Sequence, residues 1–181
     1  MNPKRHIVTL LTTPQEFERI LLYSMIVSHG IRVDTFLYVV DKGMIYTFSG
    51  YELRHLYPQK RSIEGFISKV LKKVTPPGVR ILPSYVVQHV VDSADYYVIQ
   101  CSCPSSTSPK KLVSPLNIVI LAKSYLEKYK YLYSRLPAPY LCVDSRDQAD
   151  FINKSHYILD LAFGAWIRRL GRIEYKEPIF P

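Results

Sequence analysis

Residues Leu116 to Leu121 read LNIVIL, an apolar run interrupted only by Asn117. A strand with one solvated face alternates polar and apolar residues. A near-continuous apolar strand belongs in a parallel sheet buried on both faces. The flanking sequence supplies the covering elements. Ala122 to Arg135 carries Tyr125, Leu126, Tyr129, Leu132 and Tyr133 at helical spacing, and Pro137 and Pro139 break it. Tyr140 to Val143 reads as the next strand. Ser155 to Leu170 reads as the last helix, with Ile158, Leu159, Ala162, Trp166 and Ile167 inward. Gly171 ends it, and Arg172 to Tyr175 adds an edge strand. Strands alternating with helices define an α/β domain. Leu116–Leu121 is expected at its centre, with Tyr140–Val143 beside it.

The N-terminal part follows the same rhythm. His6 to Thr12 is a short strand. Thr13-Pro14-Gln15-Glu16 is a helix start, with Thr13 as cap, Pro14 in the first turn and Glu16 at the third position. Phe17, Ile20, Leu21, Ser24, Met25 and Ser28 then mark one face of a helix expected to end near Gly30. Val33 to Val40 and Met44 to Phe48 read as strands joined by a turn at Asp41-Lys42-Gly43. Ser62 to Val74 is an amphipathic helix, with Ile63, Phe66, Ile67, Val70, Leu71 and Val74 on one face, stopped by Thr75-Pro76-Pro77-Gly78. Val79–Leu82 is a strand, Pro83–Val91 a short helix and Asp95–Cys101 a strand. Cys103 to Pro115, with three prolines, four serines and two lysines, is a loop.

The chain of 181 residues is expected to form one domain over 1–181, long enough to bury a core. No apolar run reaches the length of a membrane span and no signal-type segment stands out, so a cytoplasmic location is expected. Cys101, Cys103 and Cys142 make no disulfide framework and lack metal-site spacing; they read as small half-buried thiols, and no metal is expected. The net charge of +9 points to a polyanionic partner, RNA or DNA first and a membrane surface second. Some of the fifteen tyrosines could stack on unpaired bases. The basic candidates for RNA contact are Arg32, Arg54, Lys60, Arg61, Lys110 and Lys111. No phosphate loop, G-x-S-x-G or H-E-x-x-H occurs, so the residues alone name no catalytic group.

Three segments carry a family likeness. Ser28, His29, Ile31, Arg32 and Asp34 form S-H-x-I-R-x-D. Phe48, Gly50, Glu52 and Leu53 form F-x-G-x-E-L. Pro58, Arg61, Ser62 and Ile63 form P-x-x-R-S-I. In order and spacing they resemble the SPOUT RNA methyltransferases, in particular the archaeal pseudouridine N1-methyltransferase branch. The resemblance implies a SPOUT-like parallel sheet flanked by helices with a C-terminal trefoil knot. It also implies S-adenosylmethionine in the knotted loops, and in many members a homodimer across them. Those loops would follow Val98-Ile99-Gln100, Leu121 and Val143. Cofactor contacts would then fall to Leu121, Ala122, Val143, Ser145, Ser155 and His156.

Other segments depart from the family pattern. The family's cofactor loops bear glycine, because backbone amides must approach the ligand closely. The seven glycines here stand at 30, 43, 50, 65, 78, 164 and 171, none of them between Val79 and Phe163. Lys123 and Tyr125 replace an open loop, putting a cation and a bulky ring where a sulfonium ligand would lie. Asp144-Ser145-Arg146-Asp147 stands at the later loop. Thr13 and Gln15 stand where relatives carry the Arg and Asp of G-R-x-D, and Gln59-Lys60 replaces two acids, moving that surface toward phosphate.

Two function classes stay open at this point. One is a degenerate methyltransferase, without cofactor, bound stably to ribosomal RNA and the ribosome. The other is an active S-adenosylmethionine-dependent pseudouridine N1-methyltransferase of tRNA or rRNA, with Arg32, Arg54, Arg61 and Ser155 positioning the substrate. A basic adaptor or membrane-surface protein is a third class, and the chain lacks the basic amphipathic helix with an exposed apolar face that would mark it.

Overall fold

A computed structural model describes residues 4–27, 30–54, 56–101, 117–129 and 140–169, with side chains of the last helix described to residue 162. In chain order the elements are β1 Lys4–Leu10, α1 Pro14–Met25, β2 Ile26–Val27, β3 Gly30–Ile31, β4 Thr35–Asp41, β5 Met44–Ser49, α2 Lys60–Leu71, β6 Val79–Pro83, α3 Val86–Asp92, β7 Tyr96–Cys101, β8 Asn117–Leu121, α4 Lys123–Lys128, β9 Tyr140–Asp144 and α5 Gln148–Arg169.

The sheet has the order β6-β5-β4-β1-β8-β7-β9. The run β4-β1-β8-β7-β9 is parallel, and β5 and β6 extend it antiparallel. β8 is the middle strand of the parallel run, as LNIVIL predicts. Its Ile118 and Ile120 face the helix layer containing α1, α2 and α5, while Val119 and Leu121 face α3 and α4; all four are fully buried. Tyr140–Val143 does not lie beside β8. β9 pairs with β7 and forms the sheet edge, with Leu141 and Val143 still buried against the core. Spacing along the chain cannot reveal this, because the crossover that seats β7 between the two is a tertiary choice. The connection 102–116, which would carry the first of the three knot loops, lies outside the described residues, as do 130–139, Gly171 and 172–175.

Local chemistry explains the element ends. Thr13 has extended backbone and its Oγ1 accepts the Glu16 N–H at 3.1 Å, with Pro14 in the first turn. α1 buries Phe17, Ile20, Leu21 and Met25, each contributing about 1.5–3 kcal/mol. It ends at Met25 rather than near Gly30. The β-branched Ile26 and Val27 leave the helix and pair with Gly30 and Ile31 in a two-stranded ribbon. Lys42 and Gly43, at φ 42 and 84, make the tight hairpin turn between β4 and β5.

α2 stops one turn early. The Val74 N–H reaches the Lys69 carbonyl at 3.0 Å and the Lys73 N–H reaches Val70 at 2.9 Å, around a left-handed Lys73 at φ 62. That is a Schellman closure with lysine where glycine is usual. Leu71 and Val74, expected inward, are exposed as a result. The segment before α3 is likewise strand and turn, with Pro83 ending β6 opposite Met44. α5 starts at Gln148, well before Ser155. Asp147 caps it by accepting the Asp150 N–H at 2.7 Å, and Ala149, Phe151 and Ile152 are fully buried. The sulfurs of Cys101 and Cys142 are bonded across β7 and β9, with Cα atoms 5.7 Å apart, which corrects the reading of them as free thiols. Among the described residues no helix is long and apolar enough to cross a membrane.

Candidate nucleic-acid interface and strand-end crevice

Two of the three family-like segments, Gly30–Asp34 and Phe48–Leu53, meet at one place. A Cβ on Gly50 would overlap the Arg32 carbonyl, and the Gly50 N–H donates to the Thr35 carbonyl at 2.9 Å. Gly78, at φ +83, packs directly on the Leu53 backbone, and its carbonyl accepts the Ser49 N–H at 2.9 Å. Glu52 takes Arg80 in a two-pronged pair at 2.9 and 3.0 Å. The segment from Tyr51 to Gln59 is thereby tied to the sheet at its start, and Leu53 and Leu56 sink into the core at 1% and 4% exposure.

What this segment and α2 turn outward is basic and aromatic. Tyr51 and Tyr57 are 73% and 56% exposed. Arg54, Lys60 and Arg61 are exposed, and Lys69, Lys72 and Lys73 continue along α2 and its end. Glu64, the one acid on α2, lies 3.8 Å from Lys60. Arg54 donates through Nη1 to the Tyr51 and Leu53 carbonyls at 3.2 and 2.9 Å, which folds its guanidinium over its own loop.

Arg32 is not part of this face. It pairs with Asp160 at 3.3 Å in a half-buried cluster where the buried Arg5 holds the exposed Asp160 at 2.6 Å and Asp34 at 3.5 Å. Arg5 Nη1 donates to His156 Nδ1 at 2.9 Å. Because a guanidinium can only donate, that nitrogen is the acceptor and the ring is neutral. Burial, then the charges of Arg32 and Arg5, holds His156 well below the usual histidine range. Lys110 and Lys111 lie outside the described residues.

The second candidate region is the crevice at the carboxyl ends of the parallel strands, where ligands of open α/β sheets bind. Leu121, Ala122, Val143 and Ser145 stand at or just past the ends of β8 and β9, with β7 between those strands. Ser155 and His156 do not. Ser155 is buried on α5 and bonds back to the Phe151 carbonyl at 2.8 Å, and His156 contacts Arg5 at the opposite end of β1.

Residues that sequence reasoning passed over fill the crevice. Gln100, 8% exposed, accepts the Lys123 N–H at 3.0 Å through Oε1 and donates to Ser145 Oγ at 3.1 Å through Nε2. Gln148 Oε1 accepts the hydroxyls of Ser124, at 2.7 Å, and Thr9. Their signal was a polar side chain inside an apolar strand, Gln100 in YYVIQ and Thr9 in IVTL. Tyr125 is 3% exposed and packs on Tyr129 with ring centroids 4.7 Å apart. Lys123 turns its charge toward Glu127 at 3.7 Å instead of into the crevice. Among the described residues no cluster of His, Cys, Asp or Glu could hold a metal ion.

A seven-stranded, mostly parallel sheet of this order, flanked by helices, is the SPOUT fold. The structure is similar to the crystal structure of Archaeoglobus fulgidus Nep1 bound to S-adenosylhomocysteine, with a TM-score of 0.56 over 83% of this chain and 71% of that one, at 12% sequence identity. At the level of sequence, no family model and no curated protein matches the chain.

Proposed function

We propose that this is an RNA-binding protein built on the SPOUT fold, a degenerate methyltransferase that stays bound to ribosomal RNA and the ribosome. The observation that carries the RNA reading is the outward face of residues 51–61 and α2. It collects Arg54, Lys60, Arg61, Lys69, Lys72 and Lys73 around a single helix acid and holds them on a segment anchored to the core. Rigid, clustered cations next to exposed aromatic rings suit a phosphate backbone with accessible bases.

The crevice supports the degenerate form. A cofactor loop needs backbone N–H groups that are open to the ligand, yet the Lys123 amide is taken by Gln100. Gln148 engages the neighbouring hydroxyls, and no glycine relieves the approach. Among the described residues these groups do not fit S-adenosylmethionine. The fold shared with a structure that holds S-adenosylhomocysteine favours the second reading, an active pseudouridine N1-methyltransferase of tRNA or rRNA. A homodimer through the knot fits either reading.

The RNA proposal is tested by salt-dependent binding. Lys60→Ala with Arg61→Ala should weaken binding to every RNA. It should also lower the slope of log K against log salt by about 1.4 on single strands and about 1.8 on duplex. Unchanged slope and affinity would remove this face from the interface.

A further inference from the structure

Among the exposed residues of the anchored segment, two rings and two cations form a row at a spacing of three, with Pro58 and Gln59 exposed as well. Tyr51, Arg54, Tyr57 and Lys60 are exposed, whereas Leu53 and Leu56 between them are buried. The Gly78 contact and the Glu52–Arg80 pair hold the start of the row in place. The tyrosines contribute little to the core at 73% and 56% exposure. Each ring stands three residues before a cation, Tyr51 before Arg54 and Tyr57 before Lys60.

We propose that this row is a reader of unpaired RNA, with the Tyr51 and Tyr57 rings stacking on exposed bases while Arg54 and Lys60 hold the intervening phosphates. This rests on the RNA-binding reading above and narrows its substrate to single-stranded or looped nucleotides. The chemistry separates the alternatives. Duplex RNA stacks its bases internally and offers grooves and phosphates, which need only the cations. Unpaired bases offer faces, and an aromatic ring accepts any base because every base has one. A protein partner would suit the tyrosines too, but it would not call for an outer surface this depleted in acids.

The experiment compares a labelled single-stranded 12-mer with a blunt duplex of the same sequence, for the unmodified chain, Y51A/Y57A, Y51F/Y57F and K60A/R61A. Each ring removed should cost roughly tenfold on the single strand, from the alanine effect on stacking. Y51A/Y57A should therefore weaken single-strand binding about a hundredfold, leave the duplex within about twofold and leave the salt slope unchanged, because no phosphate contact is lost. Y51F/Y57F should bind as the unmodified chain does. Equal losses on duplex and single strand, or none on either, overturn the base-stacking inference while leaving the cationic face intact through K60A/R61A. If the unmodified chain binds neither RNA at low salt, the RNA reading itself fails, and this inference with it. Unchanged thermal unfolding of Y51A/Y57A is the control that the exposed rings carry no fold.

Discussion

Replacing Gln100 with alanine probes the filled crevice directly. The side chain makes two hydrogen bonds from a nearly buried position, one accepted from the Lys123 N–H at 3.0 Å and one donated to Ser145 Oγ at 3.1 Å. Each bond contributes about 1 kcal/mol net, and an amide left without its acceptor adds part of a desolvation cost of about 1–3 kcal/mol. The expected loss is about 2–3 kcal/mol, or about 5–10 °C in melting temperature for a chain of this size. Ser145→Ala removes only the second bond and should cost about 1 kcal/mol. Urea unfolding followed by circular dichroism measures both, with an unchanged m-value showing that the two folded states are alike. A Gln100→Ala midpoint within about 0.5 kcal/mol of the parent would refute the reasoning, because water or a ligand would then satisfy that amide equally well.

Acid should destabilise the fold before its carboxylates titrate. Burial, then the nearby Lys4 charge, pulls His6 down to about 4, and His156 is depressed in the same direction. The unfolded chain therefore takes up protons first, and stability present above pH 6.5 declines as pH falls toward 4. The urea midpoint followed across that range checks this, and His6→Asn should flatten the decline. Lys73→Gly should stabilise by about 1 kcal/mol, since glycine holds φ 62 without the Cβ penalty; a loss in calorimetry would contradict the closure assigned there. The Cys101–Cys142 bond spans a sequence separation of 41, so its reduction should cost up to about 4 kcal/mol on the chain-entropy account. Intact mass under non-reducing conditions should be lower than the reduced mass by two hydrogens.

The elements legible in the sequence were those fixed by local chemistry. The Thr13 cap, the Lys42-Gly43 turn and the apolar LNIVIL run each have a cause within a few residues, and each stands where it was expected. The end of α1 was misplaced because Gly30 looked like a stop signal, whereas Ile26 and Val27 had already left the helix. The start of α5 was missed because Asp147 was read as loop when its carboxylate caps a helix. The position of β9 and the Gln100–Lys123 contact depend on crossings between distant strands, and no window of sequence contains them. The family likeness rested on residues such as Gly50 and Arg32, and these turn out to meet at one backbone contact beside the basic face.

The central claim is that the SPOUT fold is kept here for an RNA surface and not for its cofactor. Calorimetric titration of S-adenosylmethionine into RNA-free protein tests it most directly. The account predicts no heat at millimolar ligand in a preparation that still binds RNA tightly. Micromolar affinity, accompanied by methyl transfer to purified tRNA or rRNA, would contradict it and make the protein an enzyme.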